Sequence, residues 1–253
     1  MAQPEQPRGI LQLTGSDRHS FLSNLITNEI NSEGLHYAAL LNPQGKYIAD
    51  FFVLVKKNEI LIDVAKILLS SLVSRLTMYR LRADVTIKTI DCDMSCGIGI
   101  APETAFMDPR SKALGWRLYG KASKEIVDWP AIRVENVIPE TGIELGPDKF
   151  LLEMDFERLN GVDFKKGCFV GQEIVARMKH KTVLRKGLKQ VKIAGSAAPG
   201  SPIISNGKVA GTIYTQHNGR ALAYLRFDRV GNDMLADCLL YTSDAADEGL
   251  GVD

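Results

Sequence analysis

One cysteine of this chain stands in a setting suited to thiol chemistry. Cys168 lies in the stretch KKGCFVGQEIVAR, between two lysines and the predicted first turn of a helix. A thiol reacts as its thiolate, which is favoured by nearby cations and by a helix N-terminus. Lys165, Lys166 and a helix beginning at Gly171 would supply both. The stretch therefore predicts a functional thiol, and the structural alternative is a small buried cysteine.

The neighbours of this cysteine predict how its segment is built. Glycine tolerates close backbone approach and positive φ, which we expect at Gly167 and Gly171. Glu173 and Arg177 are four residues apart, so on a helix they would form an ion pair on one face.

The remaining cysteines predict no metal site. Four cysteines in 253 residues do not make a disulfide framework. Cys92 and Cys96 have a C-x-x-x-C spacing, but no second pair of ligands lies near them in sequence. Reduced, structural thiols are therefore expected at Cys92, Cys96 and Cys238.

The cysteine stretch resembles the signature of a known family. KGCFVGQEIVAR matches the pattern K-G-C-(aromatic)-x-G-Q-E-x-x-x-R of the YgfZ family of folate-binding proteins, which is related to a mitochondrial iron–sulfur assembly factor of the same type. Other stretches match in order along nearly the whole chain: ILQLTGSDRHSFLSNLITNEI, ALLNPQGKYIADFFV, MYRLRADVTI and IPETGIEL. The resemblance makes Cys168 the essential thiol. It also marks a set of supporting motif positions: Lys166, Gly167, Gly171, Gln172, Glu173 and Arg177.

This resemblance implies a function and its partners. The chain would bind tetrahydrofolate or a derivative and would help to assemble or maintain iron–sulfur clusters through Cys168. Its partners would be iron–sulfur client or assembly proteins, including enzymes that modify transfer RNA. A single cysteine cannot supply the four ligands that a cluster needs, so a stable cluster on this chain alone is not expected.

The family is in turn similar to the T-protein of the glycine cleavage system, an aminomethyltransferase. Glu135, in IRVENVIP, matches the glutamate that holds the pterin there, and a carboxylate can accept both the ring N–H and the exocyclic amine. By the same resemblance Asp50 and Asn28 line the folate pocket. The structural alternatives are a solvent-facing carboxylate at a strand end for Asp50 and an ordinary polar residue after a helix for Asn28.

Two further functions remain open. A tetrahydrofolate-dependent one-carbon (aminomethyl) transferase or demethylase would use Asp50 near the reactive nitrogens. The T-protein has paired carboxylates where this chain has Ala49-Asp50, which weakens that alternative. An RNA-binding module would use a local basic cluster, whose structural alternative is a solvated basic face. The cluster consists of Lys165, Lys166, Arg177, Lys179, His180, Lys181, Arg185 and Lys186.

The elements that must position these residues predict an α+β fold. A strand ends at Gly15 and Ser16 caps the next helix, after which three strands form an antiparallel meander. From residue 184 onward, short strands separated by Pro-Gly and Asn-Gly turns predict a small β-barrel. Together with the resemblance, which implies a T-protein-like folate-binding domain, this pattern predicts that domain over residues 1–183 and a barrel domain over 184–241. Residues 242–253 would be an irregular tail that is either disordered or foreign to the fold.

Composition excludes some partners and suggests a location. Lys and Arg number 31 and Asp and Glu number 30, so the net charge of +1 gives no global attraction to nucleic acid or membrane. No apolar run approaches the roughly 20 residues that span a bilayer, so no membrane partner is predicted. The N-terminus MAQPEQPRG has no apolar signal region, which predicts a cytoplasmic protein or a chain lacking a transit segment.

Overall fold

A computed structural model describes residues 6–120, 126–231, 233–236 and 239–242, the last four by their backbone only. The chain divides into two compact units. The first comprises Met1–Val127 and Gly146–Thr182, and the second comprises Asp128–Leu145 and Val183–Asp253. The segment 128–145, which is predicted to belong to the first domain, thus groups with the barrel residues.

The first unit is built on a five-stranded antiparallel sheet. Its strands lie in the order β2-β3-β4-β1-β5, and β2, β3 and β4 form the predicted meander. The β3 strand is buried along nearly its whole length, as its continuous apolar run predicts. The bounds are β1 Arg8–Thr14, β2 Gly34–Leu41, β3 Tyr47–Val55, β4 Ile60–Ala65 and β5 Thr86–Ile90.

Two helices cover the core of this sheet. Helix α1 spans Arg18–Ser23 and α2 spans Lys66–Arg80, and α2 buries Leu72 and Leu76. The prediction that Ser16 caps α1 is wrong. The N-cap position is Asp17, and the Ser16 backbone N–H and hydroxyl both donate to Asp84, a residue that is distant in sequence.

The rest of the first unit carries the cysteine segment. A three-stranded sheet has the order β6-β8-β7, with bounds β6 Met94–Gly97, β7 Phe106–Met107 and β8 Trp116–Tyr119. Short 3-10 helices span Lys112–Leu114 and Leu152–Met154. The helix predicted at GQEIVARMKHK is confirmed at Gln172–Lys181; it is the fourth α-helix of the chain and follows the α3 helix described next.

The second unit is a closed β-barrel with one helix packed on it. The α3 helix spans Trp129–Asn136, is capped by the Asp128 side chain, and packs against β11 and β12. The barrel order is β10-β11-β12-β9-β14-β13, which confirms the predicted barrel and the α+β class. The bounds are β9 Lys186–Ala194, β10 Pro202–Ser205, β11 Lys208–His217, β12 Arg220–Arg226, β13 Met234–Leu235 and β14 Leu239–Thr242, with a 3-10 helix at Phe227–Arg229.

Two sequence predictions touch the limits of the described residues. The β14 strand pairs with β13 through Leu240 and with β9 through Thr242, so the prediction that the irregular tail begins at residue 242 is wrong at that residue. Residues 243–253, the remainder of the predicted tail, lie outside the described residues, as does Cys238. None of the helices described is both long and apolar enough to cross a membrane.

Candidate functional site

The Cys168 side chain is exposed, on a short loop that leads into the fourth helix, α4, at Gln172–Lys181. The residues that flank the exposed pair Gly167–Cys168 are both buried: Lys166 and Phe169 each expose only 8% of their surface. The alternative of a small buried cysteine is therefore wrong. The loop presents the thiol at the surface between two anchored residues.

The ammonium group of Lys166 is used inside the protein. Its Nζ donates to the backbone oxygens of Ser23, the last residue of α1, at 2.5 Å and of Ile26, just beyond the helix, at 2.8 Å. It also lies 5.5 Å from the centre of the Phe169 ring. Burial lowers the pKa of Lys166, while the charges of Glu29 and Asp163 act in the opposite direction. Lys166 is thus an internal tether of the loop, whereas its neighbour Lys165 is exposed.

Glycine is required by the fold at one of the two motif positions. Gly171 has a φ of +83°, and a Cβ there would lie 2.7 Å from the backbone oxygen of Asn42 and 3.1 Å from Cα of Gly45. Gly167 has no positive φ, and no atom would come within 4 Å of an added Cβ. The prediction of a conformational need for glycine is confirmed at Gly171 and wrong at Gly167.

The other motif residues lie along α4. Gln172 is half-buried in the first turn, and Glu173 and Arg177 are exposed one turn apart. The predicted ion pair between Glu173 and Arg177 is wrong, because the described contacts of these two side chains include none between them. Lys179 instead pairs with Glu157 at 2.6 Å. Two lysines of the basic cluster are therefore not free surface charges: Lys166 is buried and Lys179 is paired.

The Asp50 carboxylate is buried, with 5% of the residue exposed. It accepts hydrogen bonds from the hydroxyl groups of Tyr37 at 2.9 Å and Tyr47 at 2.6 Å. Burial, followed by the Asp50 charge, raises the pKa of Tyr37 well above its usual value, so this tyrosine stays protonated and donates. The alternative of a solvent-facing strand-end carboxylate is wrong.

The Asn28 side chain holds two segments together. Its amide nitrogen donates to the backbone oxygens of Tyr37 at 2.8 Å and Asn160 at 2.7 Å, and its oxygen accepts from the Glu29 N–H. Asn28 also borders an open cavity of about 450 Å³. The other lining residues are Glu157, Asn160, Val162, Asp163, Phe164, Lys165, Lys179 and His180.

The third predicted folate contact, Glu135, belongs to the second unit. It lies on α3, its side chain is 62% exposed, and its carboxylate pairs with the guanidinium of Arg220 on β12. Asp50 and Asn28 belong to the first unit. Glu135 is the most exposed acceptor of the three, and its partner shows that a planar, cationic or N–H-bearing group fits against it.

A buried charge network in the first unit was missed by sequence reasoning. Three guanidinium groups surround the Phe52 ring: their carbons lie 3.8 Å (Arg117), 4.7 Å (Arg110) and 5.6 Å (Arg8) from its centre. Cationic groups over an aromatic face are attracted to it, more strongly where water is excluded.

Carboxylates complete this network. Asp63 accepts from Arg8 at 2.6 Å and from Arg117 at 2.8 Å, and Asp108 accepts from Arg110 at 2.8 Å. Burial alone would raise the pKa of Asp63 and Asp108, but the adjacent guanidinium charges outweigh it and lower both pKa values. The sequence signal was a lone aspartate in the apolar strand ILIDVA, because a buried carboxylate requires a partner.

No metal site is seen among the described residues: they contain no group of three or more His, Cys, Asp or Glu side chains that could hold an ion. Cys92 and Cys96 are both half-buried, and Cys96 lies 3.5 Å from the sulfur of Met94.

The fold is that of the glycine cleavage T-protein. The crystal structure of glycine cleavage system aminomethyltransferase T from Bartonella henselae matches with a TM-score of 0.73 at 12% identity, over 93% of this chain and 82% of that one. The predicted T-protein-like fold is therefore confirmed. An identity this low shows a shared fold and does not show a shared activity.

The comparisons also relate the chain to the CAF17/IBA57 proteins. Residues 185–246 match the CAF17 C-terminal beta-barrel domain. The iron-sulfur cluster assembly factor IBA57 of Mus musculus is 28% identical over 274 residues, 88% of this chain and 76% of the relative. The homologue of Mycosarcoma maydis is 29% identical over 234 residues, and the chain spans 58% of its length. That of Homo sapiens is 27% identical over 272 residues, 88% of this chain and 76% of the relative.

The predicted cytoplasmic location is contradicted by these relatives. The fungal, mouse and human proteins are all named as mitochondrial. The prediction used only the composition of nine N-terminal residues.

Proposed function

We propose that this chain is a mitochondrial, tetrahydrofolate-binding protein that assists the assembly or maintenance of iron–sulfur clusters in client enzymes through Cys168. The observation that carries the proposal is the exposure of Cys168 on a loop anchored on both sides. It is supported by relatives named as iron-sulfur cluster assembly factors. The narrower YgfZ-type activity, with transfer-RNA-modifying enzymes among the clients, is part of this proposal.

Cys168 would act as a transient ligand for iron or sulfur. Thiolates are the preferred ligands of iron–sulfur clusters, and a cluster takes four of them. Cys168 fills one such position, so a client or assembly protein would supply the others. An exposed thiol is the form that a second protein can reach.

The chain offers one residue that fits the pterin of tetrahydrofolate directly. The Glu135 carboxylate is exposed and already accepts from a planar guanidinium, whose paired N–H groups resemble those of the pterin edge. Asp50 and Asn28, in the first unit, are the other two proposed folate contacts, and their side chains also bind protein groups. When bound, tetrahydrofolate would supply one-carbon or redox chemistry.

One alternative is a tetrahydrofolate-dependent one-carbon transferase or demethylase. The likeness to an aminomethyltransferase fold favours it. The Asp50 geometry disfavours it, because two tyrosine hydroxyl groups occupy the carboxylate that would have to face the substrate. This alternative requires turnover of a one-carbon donor that survives loss of Cys168.

The test is complementation of cells that lack their own homologue. A transfer-RNA modification that depends on a [4Fe–4S] enzyme is measured after expression of the wild type, Cys168→Ser, Glu135→Ala or the control Cys96→Ser. We expect the wild type and Cys96→Ser to restore the modification and Cys168→Ser to fail. Restoration by Cys168→Ser would refute the thiol role, and the Glu135→Ala result reports whether folate binding is coupled to it.

RNA binding is tested separately by titrating a transfer RNA into the purified chain at several salt concentrations. Binding through the exposed basic residues would weaken steeply as salt rises. A flat salt dependence would exclude that mode.

A further inference from the structure

The segment that precedes Cys168 is fastened to the segment that follows α1. Thr27 donates from its hydroxyl to the Gly161 oxygen at 2.6 Å, and its own backbone oxygen accepts from the Asp163 N–H at 3.0 Å. The Asn28 amide adds a bond to the Asn160 oxygen at 2.7 Å. These three bonds fix residues 160–163 independently of anything closer to the cysteine.

Lys166 continues this set of bonds up to the thiol. Its ammonium group reaches the backbone oxygens of Ser23 and Ile26, in the same segment that Thr27 and Asn28 belong to. The next two residues, Gly167 and Cys168, are exposed. The Lys166 side chain is thus the last tether before the thiol.

Neither Lys165 nor Gly167 tethers the thiol in this way. The Lys165 side chain is exposed, and its residue is held only through its backbone N–H, which donates to Asp163 at 2.7 Å. Gly167 has open space where a side chain would be. Removal of the Lys166 ammonium would therefore release the loop while the three bonds of residues 160–163 keep the fold.

We propose that Lys166 is the positioning residue of Cys168: by binding carbonyl groups at the end of α1 and just after it, its ammonium holds the exposed thiol in one place for a partner protein. This inference rests on the proposed function, and it assigns Lys166 a role through the position of the loop and not through contact with the reacting sulfur. Burial of the ammonium and its contact with the Phe169 ring make the tether rigid.

The experiment measures the motion of Cys168 directly. In a background with Cys92→Ser, Cys96→Ser and Cys238→Ser, a nitroxide label is attached to Cys168 of the full chain and its electron paramagnetic resonance spectrum is recorded. Three variants are compared with this background. Lys166→Met keeps the side-chain length and removes the donors, Lys165→Met is the matched neighbour, and Leu76→Ala opens a cavity in the core under helix α2.

We expect nitroxide motion at least about twofold faster in Lys166→Met and unchanged in Lys165→Met and Leu76→Ala, although Leu76→Ala lowers the urea midpoint. An unchanged spectrum in Lys166→Met overturns the inference. Equal loosening in Leu76→Ala also overturns it, because the loop would then follow general stability.

A cellular measurement ties the motion to function. In the complementation assay Lys166→Met should restore the modification at least about tenfold less well than the wild type. Equal restoration overturns the role of Lys166 in function even if the label moves faster. The proposed function fails by a different result, which is restoration by Cys168→Ser.

Discussion

The two glycines of the cysteine motif should respond in opposite ways to the same substitution. Gly171→Ala places a Cβ 2.7 Å from a backbone oxygen of Asn42 at a φ of +83°. The left-handed backbone costs a non-glycine residue roughly 1–2 kcal/mol, and a clash with the backbone of another segment adds a similar amount. We therefore expect a loss of about 2–4 kcal/mol in the free energy of unfolding.

Gly167→Ala meets neither obstacle. Its φ is outside the left-handed region and no atom lies within 4 Å of the new methyl group. Alanine also restricts the unfolded chain, which stabilises by about 0.4–1 kcal/mol where the native backbone accepts it. The expected result is an unchanged or slightly higher stability.

Urea unfolding of the two variants beside the wild type gives the comparison, with the slopes checked for equality so that the midpoints report stability. In thermal unfolding, Gly171→Ala should lower Tm by roughly 5–15 °C for a protein of this size. A destabilisation of Gly167→Ala as large as that of Gly171→Ala would refute the reasoning. If Gly167→Ala folds normally yet fails in cells, its defect lies in what approaches the thiol.

Three further results are expected. Asp63→Asn should lower the free energy of unfolding, measured in urea, by about 3–5 kcal/mol because it leaves buried guanidinium groups without their counter-charge. Glu157→Gln, at the exposed pair with Lys179, should lower it by less than about 1 kcal/mol. Similar losses in the two variants would contradict the burial argument. The folded-state pKa values of Asp63 and Asp108 are lowered, so the stabilisation they give should be complete above the unfolded pKa of about 3.9 and lost as pH falls through the lower folded values. Urea midpoints measured from about pH 6 downward should therefore fall. A midpoint that rises with acid would count against this reasoning. Glu135→Gln should leave Tm unchanged and weaken tetrahydrofolate binding, measured by calorimetry, by roughly 10-fold or more, since a charge-assisted bond is lost; unaltered affinity would remove Glu135 from the proposed site.

Local patterns predicted the elements of this fold well. The continuous apolar run of β3, the meander and the turn-rich barrel follow from residue types that act over a few neighbours. The T-protein-like architecture came from resemblance, because no local pattern specifies how strands separated by long connections pair. The exposure of Cys168 also followed from its polar neighbours.

What could not be predicted depends on partners that are distant in sequence. Ser16 fails as a cap because the N-cap position falls on Asp17, and the Ser16 N–H and hydroxyl donate to the distant Asp84 instead. The charge beside Cys168 was overestimated because the Lys166 ammonium binds carbonyl groups at the end of α1 and just after it. The network around Phe52 is assembled from three sheet strands and a loop, and only the lone aspartate of β4 hinted at it.

The mutual contact of two glycines has a consequence for the order of folding. An added Cβ at Gly45, in the turn between β2 and β3, would lie 2.8 Å from Ile174, just as one at Gly171 would strike the same turn. The start of α4 therefore cannot pack until the β2–β3 hairpin has formed. Contacts between segments far apart in the chain, such as this one, form slowly. The cysteine loop should thus reach its final position late in folding, after the β2–β3 hairpin has formed.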